Sequence, residues 1–233
     1  MRRVSFFSQI MDVLAPRLCY ICDDRLSSTE HTLCAACNLH MMRTHFDQSF
    51  KDNIFIRYFW NYIPLERGVA WFFFEPHSKA ARPIYQIKYG GDPMLARSLG
   101  RMYAREIVES GFFDGIDLLL PVPLTWSRQW KRGYNQSRMI CEGISEITGI
   151  AVETRALRRN VFQESQTKKN WWERRANVEG VFCLRHADRI RGKHILIVDD
   201  IMTTGATISE CGMELLKAGN VRLSALTLGM TRS

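Results

Sequence analysis

No run of apolar residues in this chain reaches the roughly 18 that a membrane-crossing helix needs. Cysteine is present in an odd number, 7, and no secretory leader is recognisable, which argues against a disulfide framework. Internal repeats and low-complexity tracts are also missing, so neither a solenoid nor a disordered tail explains the composition. What remains is 233 residues, 46% hydrophobic and 24% charged. That length and mixture suit one sizeable α/β domain with a small appendage.

The N-terminus begins Met1-Arg2-Arg3 and continues through Phe6, Phe7, Ile10, Met11, Val13 and Leu14. A leader peptide also starts basic and then apolar, but Ser5, Ser8, Gln9 and Asp12 interrupt this run. The apolar spacing of three and four fits one face of a packed or interfacial helix, and the expected location is cytoplasmic. The net charge of +8 is concentrated in one segment. Trp126 to Lys193 holds 15 Lys/Arg against 7 Asp/Glu, while the rest of the chain balances. Such a segment is either an anion-binding surface or a solvated charged face.

Four cysteines form Cys19-x2-Cys22 and Cys34-x2-Cys37. Each CxxC turn can bring two thiolates to one tetrahedral ion, so the doubled spacing predicts a closed, structural zinc site. His31, His40 and His45 lie close enough in sequence to substitute as ligands. Cys141, Cys183 and Cys211 stand singly in apolar surroundings and read as small core residues. The zinc-binding appendage and N-terminal helix take residues 1–50, leaving 51–233 for the main domain. Within the main domain, Val69–Phe74 reads as an aromatic strand between turn residues Pro64, Gly68 and Pro76.

The clearest chemical signal lies near the C-terminus. His194-Ile195-Leu196-Ile197-Val198 is a continuous aliphatic run of the kind buried on both faces of a parallel sheet. Asp199 and Asp200 follow, then Ile201-Met202-Thr203-Thr204-Gly205-Ala206-Thr207. A helix is expected from Ile208, stopped by Gly219, and a last strand over Val221–Leu228. A Thr/Gly turn opening a helix aims backbone N–H groups, hydroxyls and the helix dipole at one anion, such as a phosphate monoester. The two carboxylates sit one step back, in reach of ribose hydroxyls or of a magnesium ion held by them. A receiver-type acidic pair is the rival reading, but it lacks the Thr/Gly cradle.

This segment resembles the phosphoribosyl pyrophosphate (PRPP) motif of the type I phosphoribosyltransferases. The resemblance implies an α/β fold: a parallel sheet flanked by helices, with a small N-terminal zinc knuckle. It also implies that Thr203, Thr204, Gly205, Ala206 and Thr207 hold the 5′-phosphate while Asp199 and Asp200 hold the ribose hydroxyls. A second buried strand, Ile116–Pro123, precedes the basic stretch Arg128, Lys131, Arg132, Gly133, Tyr134, Asn135 and Gln136 and then a helix through Met139, Ile140, Ile144 and Ile147. A basic loop facing a phosphate loop suits a diphosphate or a nucleic-acid backbone.

The order of these pieces is similar to the ComF family of competence proteins. The matching stretches are the doubled CxxC, Ile87-Lys88-Tyr89-Gly90-Gly91-Asp92, Pro121-Val122-Pro123-Leu124 with Arg132–Gln136, Gln166 with Arg174–Phe182, and Val198–Thr207. Lys168-Lys169-Asn170-Trp171 departs from that family in being bulkier and more basic. The resemblance implies a link to natural transformation and the handling of imported single-stranded DNA, with other competence proteins as partners.

Two functions follow from these features. In the first, a nitrogen nucleophile attacks C1′ of PRPP, with magnesium on the diphosphate and Arg128, Lys131 or Arg132 holding the leaving group. No acceptor pocket is recognisable, because the chain runs only five residues past Leu228 and leaves no C-terminal hood to select a base. In the second, the same fold is a scaffold that holds single-stranded DNA through its basic and aromatic groups.

Overall fold

The computed structural model describes residues 16–160 and 180–232. The helix expected over Phe6–Leu14 lies outside the described residues. So does the stretch from Gln166 to Asn177 that holds Trp171 and Trp172.

Seven strands are described: β1 (Leu65–Phe74), β2 (Leu118–Pro121), β3 (Ala151–Val152), β4 (Leu157–Arg159), β5 (Phe182–Leu184), β6 (His194–Met202) and β7 (Arg222–Thr231). Five of them form one parallel sheet in the order β1-β7-β6-β2-β3. The small antiparallel pair β4 and β5 stands apart from it. β6 lies at the centre for a reason legible in its side chains. Ile195, Leu196, Ile197 and Val198 are all fully buried, at about 1.5–3 kcal/mol each relative to exposure, so neither face of this strand can meet water. His194 begins the strand in a buried place, and its Nε2 pairs with the Ser224 hydroxyl of β7 at 2.8 Å.

Seven helices are described: α1 (Ala35–His40), α2 (Ile54–Arg57), α3 (Arg82–Tyr89), α4 (Pro93–Ile107), α5 (Trp126–Arg132), α6 (Gln136–Thr148) and α7 (Ala206–Leu216). α4 and α6 cross closely, because a side chain at Gly100 would collide with the Ile140 carbonyl and one at Gly143 with the Arg97 carbonyl. Glycine at both positions lets the two backbones touch. Asp92 starts α4 by accepting the Leu95 N–H at 3.0 Å, and Asn135 starts α6 by accepting that of Arg138 at 3.2 Å.

The cysteine-bearing segment is folded onto this body. Cys19, Ile21, Leu26, Leu33 and Met41 are buried in the same core as the sheet residues. Thr44 donates to the Ala70 carbonyl of β1. Arg82, at the start of α3, donates to the Ile21 carbonyl at 2.8 Å and to Asp23 at 2.7 Å.

Candidate functional site

The four cysteines of the doubled CxxC converge. Their sulfurs all lie within 4.8 Å of one another, and Cys22 Sγ is 3.7 Å from Cys34 Sγ. Tetrahedral zinc with bonds of about 2.3 Å separates its sulfurs by about 3.8 Å, so this donor set fits the ion. Backbone N–H groups of Ile21 and Cys34 point at Cys19 Sγ (3.5 and 3.3 Å), and that of Cys37 points at Cys34 Sγ (3.4 Å). Burial opposes ionisation of Cys19, but backbone N–H groups and the neighbouring Cys22 outweigh it and bring the thiol down to about 7. The histidines stand aside: among the described residues the metal-competent cluster is made of cysteines alone, and His31 Nδ1 pairs with Arg17 instead.

The second site lies where open parallel sheets bind ligands, at the carboxyl ends of adjacent strands. β6 and β2 are neighbours in parallel register, with Pro121 beside Val198. The loops that follow them therefore emerge side by side. Asp199 and Asp200 end the buried run of β6, and a cavity of about 300 Å³ opens over them. Lys88 from α3 reaches Asp200 Oδ1 at 3.1 Å, and Gln136 Nε2 of α6 donates to Oδ2 at 3.0 Å. Ser137 Oγ donates to Asp199 Oδ1 at 2.9 Å, which also accepts the Asp200 N–H at 2.9 Å. Burial first, and the Asp200 charge second, push the Asp199 carboxyl up to about 7, against the help of Ser137 and Lys88. The oxygen of the Gln136 amide is buried with no partner among the described residues, so the wall of this cavity holds an unused acceptor.

Thr203 to Thr207 form the turn into α7 beside the acidic pair, enclosing a small hollow of about 30 Å³. Gly205 has φ +74°, a left-handed conformation, and a side chain there would press on the Phe59 ring at 3.0 Å. Both facts call for glycine. The N-terminus of α7, 11 residues long, opens immediately after this turn, with the partial positive charge an anion needs.

Of the predicted basic residues, Arg128 and Arg132 line the acidic-pair cavity, whereas Lys131 sits exposed on α5 away from its lining. The stretch read as a basic loop is a short helix, closed by Gly133 in the left-handed region. Cys141 and Cys211 are fully buried, as expected for core residues. Cys183 is half-buried, with its thiol toward the Leu184 carbonyl. Sequence reasoning missed Lys88, Gln136, Ser137 and Arg159 as neighbours of the acidic pair. The only signal for Lys88 was its place in the Ile87–Asp92 stretch.

A parallel five-stranded sheet flanked by helices thus carries the acidic pair and the Thr/Gly turn at the end of its central strand, with a four-cysteine knuckle folded against it. No family model matches the chain. It is similar in sequence to proteins named DNA utilization protein YhgH, Competence protein F and Competence protein ComFC. To the YhgH protein of Escherichia coli O157:H7 it is 28% identical over 205 residues, covering 87% of this chain and 85% of that one. Competence protein F of Haemophilus influenzae is 31% identical over 140 residues, 58% of this chain and 61% of that one. Competence protein ComFC of Bacillus subtilis is 32% identical over 114 residues, 48% and 43% of the two chains. Among solved structures, similarity extends to an allosteric regulatory enzyme of purine biosynthesis, at 21% identity and a TM-score of 0.43. That match covers 60% of this chain and 29% of the enzyme's. An adenine phosphoribosyltransferase is similar at 17% identity and a TM-score of 0.38, covering 60% and 74%. Among the described residues, no helix is long and apolar enough to cross a membrane.

Proposed function

We propose that this protein binds PRPP, or a closely related phosphoribosyl ligand, with magnesium, and acts in the uptake and handling of DNA during natural transformation. The names of its homologues support the biological setting. The observation that carries the chemistry is the convergence on one cavity of Asp199, Asp200, the Thr203–Thr207 turn and a ring of cations, Lys88, Arg128, Arg132 and Arg159. Phosphate oxygens meet the turn and the α7 dipole, ribose hydroxyls meet the carboxylates, and the cations face a diphosphate.

The donor set fits magnesium, a hard cation usually held by one or two carboxylates together with substrate phosphates. Asp199 and Asp200 would hold it, and the ion would neutralise diphosphate charge. In the transfer this site suits, a nitrogen lone pair forms a bond to C1′ while the bond from C1′ to the diphosphate oxygen breaks. That bonding pair leaves with pyrophosphate, and the nitrogen's proton passes to water. The chain's own contribution is orientation and charge stabilisation.

Calorimetric titration of PRPP with magnesium into the zinc-loaded protein tests the reading, beside the double variant Asp199→Asn/Asp200→Asn. Binding that the double variant abolishes is the expected result. Silence from the folded parent protein rejects it.

A second reading, direct binding of single-stranded DNA, is favoured by one further observation. Trp126 and Trp130 on α5 stack on each other in the open, at 71% and 77% exposure with ring centroids 6.5 Å apart. Arg138, Arg158 and Arg159 line the adjoining groove. Aromatic rings beside arginines suit base stacking with phosphate tracking.

A further inference from the structure

One turn of the cysteine knuckle fastens both ends of α3. At the start of the helix, Arg82 donates to the Ile21 carbonyl at 2.8 Å and to Asp23 at 2.7 Å. Just past its end, the Tyr20 hydroxyl donates to Asp92 Oδ2 at 2.5 Å. Tyr20, Ile21 and Asp23 belong to the same turn, which is closed by the Asp23 N–H on the Cys19 carbonyl at 2.9 Å and the Cys19 N–H on the Asp24 carbonyl at 2.8 Å.

Between these fastenings α3 carries Lys88, whose ammonium lies 3.1 Å from Asp200 Oδ1. Ile84 and Ile87 are fully buried and keep the helix on the body of the domain. Apolar burial is non-directional, however, and does not fix where a long, flexible side chain ends. The Tyr134 hydroxyl holds the Ile87 carbonyl at 2.6 Å, one point on the last turn. The backbone beyond that turn is not stiff by itself. Gly90 and Gly91 follow Tyr89, with Gly91 in the left-handed region at φ +69°, and glycine is the most permissive residue. Asp92 ends this stretch and is held twice, at Oδ1 by the Leu95 N–H and at Oδ2 by Tyr20. The Tyr20 bond is half-buried and charge-assisted, so it constrains more than the exposed Arg82–Asp23 pair.

We propose that Tyr20 and Arg82 are positioning residues of the acidic-pair site: they tie the cysteine knuckle to both ends of α3 and so hold Lys88 against Asp200. The knuckle then shapes the ligand site at a distance, through one helix. For its ligand this rests on the phosphoribosyl reading, but the coupling itself is measurable in the empty protein.

The test uses the zinc-loaded full chain. A double-mutant cycle in urea unfolding, with Lys88→Met and Asp200→Asn, gives the coupling between the two side chains without any ligand. The cycle is repeated in a protein carrying Tyr20→Phe/Arg82→Met, where the coupling should fall by at least about half. Tyr20→Phe alone deletes a single hydroxyl and carries the test if thermal melts show the pair unfolded. Coupling that the knuckle substitutions leave unchanged overturns the proposal, whatever PRPP does. In the second arm, PRPP with magnesium is titrated into the same variants. Tyr20→Phe/Arg82→Met should weaken binding at least about fivefold in the parent, and less than about twofold in a protein already carrying Lys88→Met. An equal loss in both backgrounds means that the two residues act on general stability and not through Lys88, and it overturns the proposal, as does no loss in either. Failure of PRPP to bind the parent rejects the phosphoribosyl reading alone, because the unfolding cycle still decides whether the knuckle places Lys88.

Discussion

Replacing Asp199 by asparagine removes a carboxyl that the fold holds at a cost. Its ordinary value of 3.8 is pushed up to about 7 by burial and by the adjacent Asp200. The native state therefore binds more protons than the unfolded chain between those two values, and stability falls as pH rises through that window. The penalty is absent below about 3.8, complete above about 7, and flat beyond. The shift of about 3 units sets a ceiling of about 4 kcal/mol. Asp199 keeps some contact with the cavity, and discounting for that screening leaves about 2 kcal/mol. An asparagine in its place can still accept from Ser137 and from the Asp200 N–H, so no hydrogen bond is lost in the exchange. The variant should therefore melt about 4–8 °C above the parent at about pH 8. At about pH 5 it should show less than half of that gain, since the parent's carboxyl is then only partly disfavoured. Differential scanning calorimetry of both proteins at both pH values is the assay, and the difference between proteins cancels groups common to them, such as Glu153. A variant that is less stable at pH 8, or whose gain is the same at both values, refutes the claim that this carboxyl is strained. The same substitution should weaken PRPP binding, a case of stability given up for a charged site.

Gly143→Ala places a methyl group against the backbone of α4, at Arg97 and Arg101, and should cost about 1–3 kcal/mol in urea unfolding. Cys34→Ser should remove the metal measured by elemental analysis and lower the melting temperature, and chelation of the parent should reproduce both effects. Lys88→Met removes the cation 3.1 Å from Asp200 that also eases ionisation of Asp199. The pH-dependent stability gain from Asp199→Asn should then grow when it is measured in a protein already carrying Lys88→Met. Trp126→Ala/Trp130→Ala should weaken single-stranded oligonucleotide binding by about 1–3 kcal/mol per base contact while leaving its salt dependence unchanged. Unchanged affinity would remove the second reading.

What was legible in the sequence is what local chemistry dictates. An unbroken aliphatic run such as Ile195–Val198 can be satisfied only in a central parallel strand. Two acids followed by Thr-Thr-Gly-Ala-Thr specify a strand-to-helix turn whose backbone must approach something closely, and the left-handed Gly205 meets that demand. Each CxxC turn brings its own two sulfurs together by local geometry, and the doubled spacing signals one shared ion. The illegible part is whatever the chain brings from a distance. Lys88 lies more than a hundred positions before Asp200, and in sequence it is one lysine at the end of an amphipathic helix. Its meaning comes from α3 crossing the carboxyl end of the sheet. Gln136 was read as part of a basic stretch, yet its role depends on α6 starting beside β6 so that the amide reaches Asp200. A site assembled from loops of distant segments can be read in sequence only at the loop whose own backbone is constrained, and here that loop is Thr203–Thr207.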